Sequence, residues 1–257
     1  MVGSLMRFLG RTIVVTGATG IAAASAQRLA SEGARLFVLS RDGDECARLV
    51  DSLEGEGHAW QAVDLLDQAA TTAALEGVEP GGLFAVAGGS GRRFGDGPLH
   101  ELSTEAWQAT TDLNDLPALN ATIGVLKLML AAGTRGSIVL TSSVLALSPS
   151  PQLFSTHAYA ASKGGMIALV RAAAAYYAKN GIRFNAVAPG LVDTPMSERA
   201  AGDKAIRAYI VHKQPLVGDL LDPADIAAAA AFLLSEDARA ITGQVLTVDG
   251  GWSVTNV

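Results

Sequence analysis

One cysteine, Cys46, is the only thiol in this 257-residue chain, and its solitude excludes an internal disulfide. That fits a reducing, cytoplasmic setting, with Cys46 expected to be a small packed side chain rather than a reactive group. Histidine is also scarce. His58, His100, His157 and His212 lack the close spacing of a metal-ligand set, so no metal is expected. His157 reads as a loop histidine with a satisfied hydrogen bond, the alternative being a wall of a substrate cleft. No basic block interrupts a net charge of -6, so nothing marks a nucleic-acid footprint. Long hydrophobic runs are missing too. The longest uncharged stretch, 136–162, is broken by serines and by Pro149 and Pro151, which excludes a membrane helix there. Residues 1–10 are too few for a signal peptide's apolar segment and cleavage site. No repeat or low-complexity linker divides the chain. The expectation is one soluble domain over 1–257, built on a single large core from a sequence that is 49% apolar.

What the chain does have is alternation. Short β-rich runs at Arg11–Thr16, Arg35–Leu39, His58–Ala62, Leu83–Ala87, Ser137–Thr141, Arg183–Ala188 and Val245–Val248 read as seven strands. Several are almost wholly apolar, as strands buried on both faces must be. Helical stretches at Ile21–Glu32, Asp42–Glu54, Thr104–Ala132, Ala158–Asn180 and Pro223–Leu234 lie between them. The pattern predicts an α/β fold, a parallel sheet with right-handed crossovers and helices on both faces. Gly88–Gly97 is a Gly/Arg loop and Thr194–Asp222 a long insertion, both after strand ends, where open α/β sheets bind ligands.

The most informative segment is Tyr159-Ala160-Ala161-Ser162-Lys163, which opens an Ala-rich, proline-free run. Helical spacing stacks the phenol and the ammonium on one face. A free tyrosine has a pKa of about 10, and a neighbouring cation favours its phenolate. Lowering it by about three units takes roughly 4 kcal/mol, which one lysine cannot safely be credited with, so a second positive charge, such as an oxidised nicotinamide ring, would help. The alternative is a surface tyrosine and a solvated lysine. Upstream, Thr16-Gly17-Ala18-Thr19-Gly20-Ile21-Ala22-Ala23 joins the first strand to the first helix. Glycines there let the backbone approach a pyrophosphate, and the helix start supplies free N–H groups.

Taken with Gly136–Ser143, with Arg183–Gly190 followed by Thr194-Pro195-Met196, with Ile241–Gln244, Val248–Gly251 and the Trp107/Asn114 spacing, these motifs carry a resemblance over nearly the whole chain. The sequence resembles the short-chain dehydrogenase/reductase superfamily. That resemblance implies a Rossmann-like, doubly wound, seven-stranded parallel sheet and a hydride exchange between NADP or NAD and an alcohol/carbonyl pair. Ser143 would polarise the carbonyl, with Ser142 as its rival. Tyr159 would pass the proton, Lys163 would grip the nicotinamide ribose, and Asn114 would anchor a relay water. The cofactor would lie along Gly17, Thr19, Gly20 and Ile21, then Ser40, Arg41, Asp64, Ala87 and Gly88, then Pro189, Gly190, Val192 and Thr194, besides Tyr159 and Lys163. The resemblance further implies a homo-oligomer, dimer or tetramer, and a mobile lid over 194–222. A catalytically inactive regulatory or scaffold protein of the same fold is the alternative.

The chain departs from the family pattern in places. Two residues rather than three separate Gly17 from Gly20, and alanine replaces a third glycine at Ala22 or Ala23. Ala85-Val86-Ala87-Gly88 stands where an Asn-Asn-Ala-Gly brace is common, and a longer stretch than usual separates Ser143 from Tyr159. Pro117 leaves the Leu113 carbonyl without its helical partner, which predicts a kink or break beside Asn114. Ser40 and Arg41 stand where a carboxylate would select NAD, so NADP is expected, although Asp42 and Thr19 argue the other way. Arg92 and Arg93 read as solvated loop charges, with an anionic substrate group as the alternative.

Overall fold

The computed structural model describes residues 6–255. Seven strands form one sheet: β1 (Thr12–Thr16), β2 (Arg35–Ser40), β3 (Ala59–Ala62), β4 (Pro80–Ala85), β5 (Gly136–Thr141), β6 (Ile182–Pro189) and β7 (Val245–Val248). Their order is β3-β2-β1-β4-β5-β6-β7, and every pairing is parallel. The apolar strands β1, β4, β5 and β6 occupy the middle, and β3 is an exposed edge. The chain reverses direction across the sheet between β1 and β4, which opens a crevice at their carboxyl ends.

Helices cover both faces. α1 (Ile21–Ser31), α2 (Gly43–Asp51) and α8 (Pro223–Leu234) build one core, in which Ala22, Ala26, Ala230 and Ala231 let α1 and α8 approach closely. Cys46 is buried in that core as packing. On the other face lie α3 (Gln68–Ala74), a short helix with no counterpart in the sequence reading, α4 (Thr104–Ala132) and α5 (His157–Tyr177). α4 is long and apolar enough to cross a membrane by length and composition, with a mean hydropathy of 1.3, yet half of that window is buried against α3, α5 and the sheet.

Three expectations change. α4 runs unbroken through Pro117. Interior proline costs a helix about 3 kcal/mol, and here Ala118, Ala121, Val125 and Met129 bury the following turns well enough to outweigh it. β4 begins earlier than expected, at Pro80 opposite Thr12, and ends earlier because the N–H groups of Val86 and Ala87 turn to the Thr16 hydroxyl, at 2.9 and 3.1 Å. The insertion after Thr194 is helical, with α6 (Glu198–Gly202) and α7 (Lys204–Lys213). Ile206 and Ile210 anchor it in a third apolar cluster with Trp252 and Val144.

Candidate active site

The start of α5 is fixed from a distant part of the chain. Asp96, 4% exposed, accepts from the backbone N–H groups of Ala158 and Tyr159, each at 3.0 Å. A carboxylate at a helix N-terminus satisfies two orphan donors and complements the dipole. Tyr159 is thereby held on the first turn, half-buried in a cleft, while Lys163 sits one turn on, 4% exposed, with Nζ 5.6 Å from the phenol ring centroid. His157 is exposed and bonded to the Gly97 carbonyl at 2.8 Å, away from the cleft lining.

The electrostatics differ from the sequence expectation. Burial raises the Tyr159 pKa, the neighbouring Ser143 hydroxyl only partly opposing it. Burial also lowers Lys163 to about 8, with the Asp115 carboxylate pulling the other way. In the protein alone, then, loss of solvation is the largest influence on both groups. The phenol is held in its acidic, proton-carrying form. Asp115 also accepts a very short hydrogen bond from Ser162, which pins α4 to α5 beside the lysine.

The two serines at the end of β5 have separate surroundings. Ser142, 1% exposed, donates to the Lys163 carbonyl at 2.8 Å. Ser143 faces Tyr159, and among the described residues its oxygen accepts from the Leu145 N–H at 3.2 Å. Lys163 Nζ donates to the Thr141 carbonyl at 3.1 Å, its single hydrogen bond among the described residues. Thr141 Oγ1 is buried without a partner and also lines the cleft. Asn114 is fully buried. Its amide donates to the carbonyls of Gly89 and Thr110, both at 2.9 Å, and accepts from the Gly89 N–H at 3.2 Å. A Cβ on Gly88 would stand 2.8 Å from Asn114 Oδ1 and 3.5 Å from Lys163 Nζ, so only glycine lets that loop pass.

The glycine turn forms the cleft's far end. Gly20 has φ +54°, and a Cβ there would meet the Thr194 side chain at 2.9 Å. Ala22 is the small residue facing Gly17, where an added Cβ would lie 3.2 Å away. No side chain caps the start of α1. The Thr16 hydroxyl holds Val86 and Ala87, doing for the sheet edge what the missing amide brace would do.

One cleft, with about 870 Å³ of free space including its mouth, is lined by Gly17, Thr19, Gly20, Ile21, Ala87, Gly88, Asn114, Ser143, Tyr159, Lys163, Pro189, Gly190, Val192 and Thr194 together. Ser40, Arg41 and Asp64 are not in its lining. They sit at the ends of β2 and β3 on the same sheet edge, with Leu39 accepting from the Gly17 N–H at 2.7 Å. A second cavity, about 720 Å³ counted the same way, shares Ser143 and Tyr159 with the first. Its other walls include Val144, Leu145, Phe154, Leu191, Met196 and Trp252, with Arg92 and Arg199 among them. Arg92 is thus a half-buried cavity residue, not a solvated charge, whereas Arg93 is exposed and stacks on Phe94. Asp96, Asp115, Thr16 and Arg199 were not singled out by sequence reasoning, and no local pattern marks them.

Comparison with known proteins is consistent across the chain. A family model described as enoyl-(acyl carrier protein) reductase matches residues 15–253. Cis-4-hydroxycyclohexanecarboxylate dehydrogenase of Sinomonas cyclohexanicum is 36% identical over 253 residues, covering 96% of this chain and 98% of that protein. A 3-oxoacyl-[acyl-carrier protein] reductase from Brucella melitensis, solved with bound NAD, superposes with TM-score 0.87 at 29% identity, over 98% of this chain and 95% of that one. An Agrobacterium tumefaciens protein described as a 2-deoxy-D-gluconate 3-dehydrogenase, solved with bound NADP, gives TM-score 0.87 at 30% identity, over 96% and 98%. The chain belongs to the short-chain dehydrogenase/reductase family. It is a nicotinamide-dependent oxidoreductase of alcohol/carbonyl pairs.

Proposed function

We propose that Tyr159, Ser143, Lys163 and Asn114 carry out proton transfer and oxyanion stabilisation, with NADP as the preferred cofactor. The observation that carries this reading is their convergence on a cleft continuous with the glycine turn at one end and an apolar cavity at the other. The residues fit a dinucleotide on physical grounds. α1 begins with no side-chain cap, and the buried Lys163 ammonium keeps protons beyond the one given to Thr141. When bound, the cofactor supplies or takes up the hydride. Gly17, Thr19, Gly20 and Ile21 would hold its phosphates, Lys163 its ribose, and Gly88, Pro189, Gly190, Val192 and Thr194 the walls beside it.

The chain's own groups account for the rest. As hydride reaches a carbonyl carbon, negative charge grows on its oxygen, where the Ser143 hydroxyl and the Tyr159 phenol can both donate. Tyr159 then gives up its proton, and the Lys163 ammonium stabilises the phenolate that remains. Asn114, already bonded to the loop at Gly89, holds that loop and the inner end of a proton path. The apolar walls of the second cavity suit a compact alicyclic alcohol or ketone, in keeping with the cyclohexane ring in the name of the Sinomonas relative. Absorbance at 340 nm with NADPH and a panel of alicyclic ketones tests the reading, and cofactor binding without turnover across the panel overturns it.

NADP preference rests on the end of β2. Arg41 is exposed with no ion-pair partner among the described residues, and Asp42 is engaged as the cap of α2, accepting from Asp44 and Glu45 N–H at 3.0 Å. A free guanidinium suits a ribose 2′-phosphate. Titration should show NADPH binding more tightly than NADH, with Arg41→Ala removing the difference. Equal affinities in the unsubstituted protein would contradict the preference. A cytoplasmic homo-oligomer, dimer or tetramer, with residues 194–222 as a lid over the substrate, completes the proposal.

A further inference from the structure

The second cavity holds charge that the chemistry at Tyr159 does not use. Arg92 reaches it from the turn Gly91–Phe94 after β4, and Arg199 from α6. Neither forms an ion pair among the described residues. The Arg92 guanidinium has one hydrogen bond, to the Leu153 carbonyl at 2.9 Å. Asp96 is the carboxylate acting on Arg92, and its oxygens also accept from the α5 N–H groups at 3.0 Å. Loss of water and then repulsion from Arg199 both lower the Arg92 pKa, with Asp96 opposing them. Arg199 is exposed and Arg92 half-buried, so two like charges face one largely apolar space with a single carboxylate, Asp96, acting on Arg92, and a second negative group between them would be favourable.

A guanidinium is the side chain whose fork matches a carboxylate, and its bonds to one are charge-assisted. We propose that the cavity takes a hydroxy acid or keto acid with an apolar body. Its carboxylate lies on Arg92 and Arg199 and its alcohol or ketone faces Ser143 and Tyr159. The apolar walls between these two polar ends would cover the body of the bound acid and so strengthen both contacts. This substrate class rests on the oxidoreductase reading above, but the anion site itself can be measured without turnover.

Calorimetric titration of the NADP-saturated enzyme with cyclohexanecarboxylate and with cyclohexanecarboxamide is the test. The acid should bind roughly tenfold or more tightly than the amide. Arg199→Met should remove that difference and Arg199→Glu reverse it. Arg92→Lys, which keeps the charge beside Leu153, should retain part of it, and Arg93→Met all of it. Equal binding of acid and amide, or a preference unmoved by both Arg199 variants, overturns the proposal. Reduction of 4-oxocyclohexanecarboxylate and of its methyl ester separates the two readings. If the ester is turned over as efficiently as the acid, the anion site falls and the oxidoreductase assignment stands. If the acid binds through the arginines and neither ketone is reduced, the anion site stands and the assignment at Tyr159 falls.

Discussion

Ser142 donates its hydroxyl to the backbone carbonyl of Lys163 at 2.8 Å and so ties the end of β5 to the helix that carries Tyr159 and Lys163. The next residue, Ser143, has no such tie and turns to the Tyr159 phenol instead. Adjacent serines therefore have different expected failures. Ser143→Ala should lower kcat about a hundred- to thousandfold with the fold intact, since one oxyanion donor is lost. Ser142→Ala should remove a second hydrogen bond from a carbonyl that keeps its helical partner and cost about 0.5–1.5 kcal/mol of stability, with the smaller loss of rate. Urea midpoints and kcat for both variants check this, and the reverse pattern would contradict it.

Asp96 caps the helix turn that carries Tyr159, and its expected role is to position the phenol. Removing its carboxylate frees two N–H groups at the first turn of α5. Asp96→Ala should cost about 1–2 kcal/mol in the urea midpoint and lower kcat more than it weakens cofactor binding. Asp96→Asn, which keeps one acceptor, should recover part of both. Unchanged kcat in Asp96→Ala would show that the cap does not position the phenol.

Lys163 links stability to pH. Its pKa falls from the ordinary 10.5 to about 8 in the folded protein. Between those values the unfolded chain binds more protons than the native one, so stability rises with pH there. The contribution is complete above 10.5 and is lost as pH falls through 8. Its full size is about 3 kcal/mol. Measured against Lys163→Met, which cannot titrate, the unsubstituted protein should gain stability between pH 7 and 9.5. A pH-independent difference would mean the ammonium is not desolvated.

The sheet was legible because β1, β5 and β6 are apolar runs that only a doubly covered strand explains, and the Tyr159/Lys163 pair because its spacing is local. What escaped was short or non-local. α3 is a seven-residue Ala/Thr helix with little apolar periodicity to announce it. α6 and α7 are held by packing on Trp252, far along the chain. The Asp96 cap acts 62 residues from Ala158, and burial of Arg92 depends on how a Gly-rich loop folds back over the cavity. Pro117 did not break α4, because the buried turns that follow hold the helix together. The burial that raises the Tyr159 pKa in the cofactor-free protein was not legible either, because charge spacing can be read from sequence and desolvation cannot.

The central claim is that the Tyr159 hydroxyl carries the proton. Stopped-flow measurement of NADPH oxidation at 340 nm under single-turnover conditions, comparing the unsubstituted enzyme with Tyr159→Phe, tests it most directly. The variant keeps the ring's packing and loses only the donor. Hydride transfer should slow by about a hundred- to ten-thousandfold while the cofactor dissociation constant stays the same. Equal rates in the two proteins would contradict the account.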